Sequence, residues 1–226
     1  MTPDPHEPAS TSAIEFGNLE ANCRFLRESG ALVPGRRVLE IGTGRGSMLD
    51  WLGRQGMNAV GIEIRDELVR DARRRHPDLA IVRASGTALP FADASFDLVV
   101  SFDVFEHIAD SDGHLRDVTR VLRPGGEYLL QTPNKWTNSV FETIRWRSFT
   151  RWRVDHCALH SHAGLTRRFA RHGYALTFLD VPVVTPFFRE KVRRHLGAAG
   201  VRLLALAQPD RWPAKLRTNF YVRARR

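Results

Sequence analysis

The stretch Arg37-Val-Leu-Glu-Ile-Gly-Thr-Gly-Arg-Gly-Ser47 constrains this chain most, because it sets three alternating glycines between an apolar strand and an amphipathic helix. Val38, Leu39 and Ile41 suit a buried strand, and Met48, Leu49, Trp51 and Leu52 give the next segment one apolar face at helical spacing. Gly42, Gly44 and Gly46 fall in the turn between them. Glycine accepts positive φ and has no Cβ, so the backbone here can bend sharply and let a ligand lie against the peptide plane.

The same alternation of strands and helices continues from about 13 to 132. The spacing predicts a helix over Ala13 to Gly30, a second strand over Asn58 to Ile64, a charged helix over Asp66 to His76 and a third strand over Leu79 to Arg83. A fourth strand follows at Phe96 to Phe102, then a helix over Gly113 to Leu122 ended by Pro124-Gly125, and a fifth strand over Glu127 to Gln131. Such a pattern implies a parallel α/β sheet covered on both faces, with ligands beyond the carboxyl ends of the strands. After Pro133 the pattern breaks into an aromatic and basic insertion to His160, read as a substrate cap. Ser161 can cap a helix to His172; Tyr174 to Val181 and Thr218 to Arg223 read as strands, with a helix over Phe187 to Leu206 between them.

Two acids say what the glycine turn would hold. Glu40 lies two residues before the first glycine, where a negative charge disfavours a pyrophosphate and favours an amino group or a sulfonium. The dinucleotide pattern Gly-x-Gly-x-x-Gly would need glycine or alanine at 47, which is Ser47, whereas a glycine falls at 46. Glu63 ends the second strand, where doubly wound folds place a carboxylate on a ribose diol. Together these residues describe an adenosyl ligand without phosphates.

With these motifs the chain resembles the class I S-adenosylmethionine-dependent methyltransferases, most closely the small-molecule branch that includes the ubiquinone and menaquinone biosynthesis enzymes. Pro90-Phe91 through Ser101, Phe102 through Ile108, and Val121-Leu-Arg-Pro-Gly-Gly126 extend the resemblance in that family's order. It implies a Rossmann-like, doubly wound seven-stranded sheet, mostly parallel with an antiparallel last strand and helices on both faces. It also implies S-adenosyl-L-methionine as cofactor. Glu40 would meet its methionine end, Gly42, Thr43, Gly44 and Gly46 would lie against it, Glu63 and Ile64 would flank the ribose, and Ser85, Gly86, Thr87 and Phe102 would frame the adenine. One departure stands out: the family usually has an acid near the end of the third strand, and this chain has Ser85.

The 226 residues, 42% hydrophobic, fit one domain over 13–226, with a disordered tail over 1–12 and the cap at about 133–160. The amino-terminal segment has neither the basic nor the apolar region of a secretory signal. Cys23 and Cys157, only two and far apart, offer no disulfide framework and fit a reducing cytoplasm. Residues 145–226 hold 18 Lys or Arg against 4 Asp or Glu, leaving 16 against 21 in residues 1–144. An acidic half suits a sulfonium ligand, and a basic half suits an anionic acceptor or surface.

His107, after the fourth strand, could take a proton from a hydroxyl or amine nucleophile, or could simply shape the pocket. In the cap, Trp136, Arg145, Trp146, Trp152 and His156 are candidate substrate contacts, although aromatic and basic residues there also suit a helix that packs its rings and solvates its charges. His156, His160 and His162 lack the acid and cysteine pattern of a metal site, so no metal is expected. The helix over 187–206 mixes an apolar stripe with basic residues, which suits packing on its own domain or peripheral contact with an anionic membrane. The expected function is methyl transfer to a small-molecule or lipid-like acceptor in the cytoplasm. Two alternatives stay open: an RNA (tRNA) methyltransferase, suggested by the basic carboxyl-terminal portion, and a non-catalytic cofactor-binding module.

Overall fold

The computed structural model describes residues 18–146 and 157–226. Its sheet has seven strands: β1 (Arg37–Ile41), β2 (Asn58–Glu63), β3 (Ala80–Arg83), β4 (Phe96–Phe102), β5 (Leu122–Pro133), β6 (Ala175–Leu179) and β7 (Asn219–Arg225). They lie in the order β3-β2-β1-β4-β5-β7-β6. β1 pairs in parallel with both β2 and β4, while β7 runs antiparallel to its neighbours β5 and β6. The order reverses between β1 and β4, the point where open α/β sheets leave a crevice beyond their strand ends.

Side chains alternate across the sheet, and each set has its own helices. Leu39, Ile41, Val99, Tyr128 and Leu130 pack with Leu115 and Val118 of α4 (Ser111–Val121) and with Leu165 and Phe169 of α6 (His162–Arg171). Val38, Leu98, Val100 and Leu129 pack on the opposite face, with Phe25 and Leu26 of α1 (Leu19–Ser29) and Trp51 and Leu52 of α2 (Ser47–Arg54). α3 (Asp66–Arg75) adds a smaller cluster in which Val69 and Ala72 meet Leu49 and Ile81. Each such side chain withdrawn from water contributes about 1.5–3 kcal/mol before the entropy of ordering it.

Several boundaries differ from the sequence expectation, each for a local reason. Helix α1 starts at Leu19 because Asn18 takes a non-helical conformation and its side chain accepts from the Ala21 N–H. The earlier part of that predicted helix, like the tail over 1–12, lies outside the described residues. β5 begins at Leu122 and not at Glu127: Phe96 pairs with Leu122, and the register then shifts so that Leu98 pairs with Glu127. Gly125, at φ 76°, takes up the extra residues. The cap opens with a regular helix, α5 (Lys135–Trp146), immediately after β5. α7 (Pro186–Ala207) is broken at Gly197, whose φ of 63° and ψ of −162° are open to glycine but not to a helix. Among the described residues no helix is long and apolar enough to cross a membrane.

A buried polar knot joins two of these helices. The Asn18 amide donates to the Val183 carbonyl (2.9 Å), and Thr185 Oγ1 donates to Asn18 Oδ1 (2.9 Å). Thr185 Oγ1 in turn accepts from the Phe188 N–H and so caps α7. One contact thus sets the starts of both α1 and α7, and residues of both helices line the cleft described below.

Candidate functional site

A cleft of about 1160 Å³ opens at the carboxyl ends of β1, β2 and β4. The glycine turn forms its floor. Gly42 and Thr43 both donate their main-chain N–H groups to the Ile62 carbonyl (2.8 and 2.9 Å), which draws the turn over the end of β2. Gly42 has φ 77° and lies so close to Val104 that an added Cβ would fall 2.3 Å from its Cγ2. Gly44, at φ 55°, has nothing within 4 Å of that position, so its backbone is bare toward the cleft.

Two carboxylates bracket the turn. Glu40 is buried, and Thr43 Oγ1 donates to its Oε2 at 2.6 Å. Burial pushes the Glu40 carboxyl up to about 7; the Thr43 hydrogen bond opposes this, and the neighbouring Glu63 carboxylate adds to it. Glu63 is also buried; its Oε2 accepts from the Gly44 N–H (3.1 Å) and its Oε1 from the Arg65 N–H (3.0 Å). Gly61, paired with Glu40 across the strands, makes room for this arrangement. A Cβ there would meet Thr43 Oγ1 at 2.9 Å and Leu49 Cδ2 at 2.8 Å. A glycine inside an apolar strand often marks such an approach, a signal available in the sequence but not taken up there.

Ile64, Ser85, Gly86, Thr87 and Phe102 line the same cleft, as do Thr43 and His107. Gly46 does not. It starts α2 at φ 89° and packs toward Leu79, His76 and Ala72, so its lack of a side chain serves packing against α3 and the segment after it. Trp136 stands apart too: it is 64% exposed beside Lys135, whereas Thr137 and Asn138 of the same helix reach the cleft. The side chains of Arg145 and Trp146, and all of Trp152 and His156, lie outside the described residues.

Two acids not singled out from the sequence stand at the other end of the cleft. Asp103 has a left-handed φ of 52°, unusual for a residue with a side chain, and Gln131 clamps it. The Gln131 amide donates to Asp103 Oδ1 (3.0 Å), and Gln131 Oε1 accepts from the Asp103 N–H (2.9 Å). Glu106 is buried and accepts from Thr132 Oγ1 at 3.0 Å. Burial and the Asp103 charge push it up to about 8. His107 follows in a 3-10 turn (Phe105–His107), 44% exposed, with Nε2 4.0 Å from Glu106 Oε1. Phe187, Phe188, Lys191 and Val192 of α7 line the same cleft.

Of the histidines weighed as metal ligands, His160 and His162 lie among the described residues, and each packs against an aromatic ring. His162 stacks on Phe178 at 3.9 Å between ring centroids, and His160 lies against Phe105. Among the described residues no group of three or more His, Cys, Asp or Glu stands where it could hold a metal ion.

Comparison with known proteins agrees with this geometry. Residues 39–130, the span from β1 to the middle of β5, match the methyltransferase domain family. Over that span the chain is similar to S-adenosylmethionine-dependent methyltransferases. A probable S-adenosylmethionine-dependent methyltransferase of Mycolicibacterium smegmatis is 39% identical over 105 residues, 46% of this chain and 41% of that protein. A demethylmenaquinone methyltransferase of Renibacterium salmoninarum is 26% identical over 140 residues, 62% of this chain and 59% of that protein. The chain thus spans about half the length of the curated relatives it matches. Among solved structures, an S-adenosylmethionine-dependent methyltransferase of Mesorhizobium loti superposes with a TM-score of 0.64 at 18% identity, covering 91% of this chain and 98% of that one. A phosphoethanolamine N-methyltransferase of Haemonchus contortus gives 0.63 at 19% identity, covering 90% of this chain and 51% of that one. At such identities these structures bear on the fold.

S-adenosylmethionine is the cofactor of this class, and the residues present fit it. The bare Gly44 backbone leaves space for close approach. Glu40 is a buried carboxyl whose charge burial disfavours, and a cationic ligand would restore that charge.

Proposed function

We propose that this chain transfers a methyl group from S-adenosylmethionine to a small-molecule or lipid-like acceptor. The observation that carries the reading is the convergence of Glu40, the Gly42–Gly44 turn and Glu63 at adjacent strand ends in one cleft with His107. When bound, the cofactor supplies a methyl carbon activated by its sulfonium. Glu40 engages the methionine end, and the main chain of Gly42, Thr43 and Gly44 lies against the ligand. Glu63 holds the ribose hydroxyls beside Ile64, while Ser85 to Thr87 and Phe102 frame the adenine.

The acceptor enters between the Asp103–His107 turn and α7. There His107 takes the proton released by a hydroxyl or amine nucleophile, and Phe187, Phe188 and Val192 give apolar contact. An acceptor of lipid character suits this wall. The outer surface of α7 is basic and carries the exposed Leu203 and Leu206, which supports peripheral contact with an anionic membrane through 187–206.

Incubation with methyl-labelled cofactor and separated lipid, small-metabolite and RNA fractions tests the reading. Label in the lipid or small-metabolite fraction is expected. Label in RNA would replace the acceptor assignment, and cofactor binding with no labelled product in any fraction would favour a non-catalytic module.

A further inference from the structure

The turn that follows β3 is held mostly by itself. The Ala88 N–H donates to the Ser85 carbonyl, the Thr87 N–H donates to Ser85 Oγ, and Ser85 Oγ meets Thr87 Oγ1 at 2.9 Å. Its flanks are tied to the fold, Ala84 donating its N–H to the Glu63 carbonyl (3.1 Å) and Leu89 donating its N–H to the Asp117 carboxylate, but these bonds leave the Gly86 peptide between them unheld. No carboxylate stands at Ser85 to grip a ligand, so the position of the turn decides what its main chain can reach.

The tie at the middle of the turn comes from behind. His114 on α4 is fully buried, and its Nδ1 lies 2.6 Å from the Gly86 carbonyl oxygen. Its Nε2 lies 3.0 Å from the Tyr128 hydroxyl, which lies 2.7 Å from Ser101 Oγ. A carbonyl oxygen can only accept, so Nδ1 carries the proton and Nε2 accepts from Tyr128. The Tyr128 oxygen then accepts from Ser101. One tautomer satisfies the whole row, and it runs from Ser101 near the carboxyl end of β4 through β5 and α4 to the cleft wall. The row is dry: His114, Tyr128 and Ser101 are each 0% exposed. Burial pushes the His114 imidazole down to about 4, so it stays neutral in the pH range where the row is needed.

We propose that His114 is a positioning residue for the cofactor: through the Gly86 carbonyl it fixes the Ser85–Thr87 turn at the place where the adenine is received. It does not itself line the cleft, whereas Gly86 does. The fit at Gly86 is close, since an added Cβ would meet Ile41 at 3.2 Å, Ile108 at 3.3 Å and His114 Nδ1 at 3.4 Å. Losing the anchor would therefore let the turn move away from Ile41, which ends β1 beside the glycine turn. The inference rests on the cofactor reading given above.

The test compares two variants of the full chain, His114→Asn and His114→Leu. Both leave the Tyr128 hydroxyl without its imidazole acceptor. Asn keeps an N–H donor where Nδ1 stood, and Leu places a methyl there. Calorimetry with S-adenosylhomocysteine should show the Leu variant binding about tenfold more weakly than the Asn variant, at matched thermal stability. Equal affinities would overturn the proposal. If either variant does not fold, nitrogen NMR of the wild-type ring decides: a proton on Nδ1 with no titration from pH 5.5 to 8 is expected, and a proton on Nε2 overturns the row. Wild-type protein that fails to bind S-adenosylhomocysteine would instead bring down the cofactor reading, and this inference with it.

Discussion

The main-chain N–H of Gly44 donates to Glu63 Oε2 at 3.1 Å, which ties the turn after β1 to the end of β2. A carboxylate expected only to meet a ligand thus also shapes the floor on which that ligand would lie. Its other oxygen takes the Arg65 N–H, so both oxygens are engaged by the backbone.

Glu63→Gln should therefore harm both fold and binding. An amide presents one oxygen and one NH2, which faces one of the two N–H groups with another donor. Chemical denaturation should show a loss of about 1–3 kcal/mol, the cost of leaving a buried donor unpaired. Calorimetry should show S-adenosylhomocysteine binding weakened by at least about tenfold, equivalent to 1.4 kcal/mol. Unchanged affinity would detach Glu63 from the ligand.

Glu40 gives a pH signature with a defined sign. Its folded-state pKa of about 7 lies above the 4.5 of an exposed glutamate. Between those values the folded state holds a proton that the unfolded chain has released, so this group's contribution to stability falls as pH rises from about 4.5 to about 7. Glu40→Gln removes the effect. The stability difference between the variant and the wild type, both without ligand, should grow in the variant's favour across that window, reaching a few kcal/mol at most by pH 8, at about 1.36 kcal/mol per pKa unit. The same variant should bind the cofactor worse. A gap between the two proteins that does not change with pH would remove burial of the Glu40 charge as its cause.

The glycines of the turn should separate packing from ligand approach. Gly42→Ala forces a side chain into Val104 at an unfavourable φ, and should destabilise the fold by about 2 kcal/mol or more. Gly44→Ala meets open space and keeps only the conformational penalty of about 1–2 kcal/mol. Its larger effect should fall on cofactor affinity. Thermal denaturation alongside calorimetry tests this, and a Gly44→Ala protein with wild-type affinity would mean the ligand does not approach that backbone.

His107 should report proton transfer. Once an acceptor is identified, His107→Ala should lower turnover by about a hundredfold or more, as removal of a general base does, with S-adenosylhomocysteine affinity intact. Turnover unchanged over the whole pH range would leave His107 a structural role.

How much of this was legible in the chain follows from the range of each interaction. Strand and helix periodicity, the glycine turn, Glu40 and Glu63 are local patterns, and the structure brings them together at the sheet's switch point. Gly46 shows the limit of that reasoning: its spacing matched the other two glycines, yet the neighbours that require it are His76 and Leu79, thirty residues and more away. The clamp of Gln131 on Asp103 joins residues 28 positions apart, and the links of the row from Ser101 to Gly86 span 14 to 28 positions. Neither leaves a periodic trace. The break of α7 at Gly197 was hidden because Phe188, Val192 and Leu196 keep helical spacing right up to it.

Titration calorimetry of the full chain with S-adenosylmethionine, S-adenosylhomocysteine and a nicotinamide dinucleotide, in buffers of differing ionisation enthalpy near pH 7, tests the central claim most directly. The account predicts one-to-one binding of both adenosyl ligands with release of a proton as Glu40 regains its charge, and no binding of the dinucleotide. Heat from the dinucleotide alone, with none from either adenosyl compound, would contradict it.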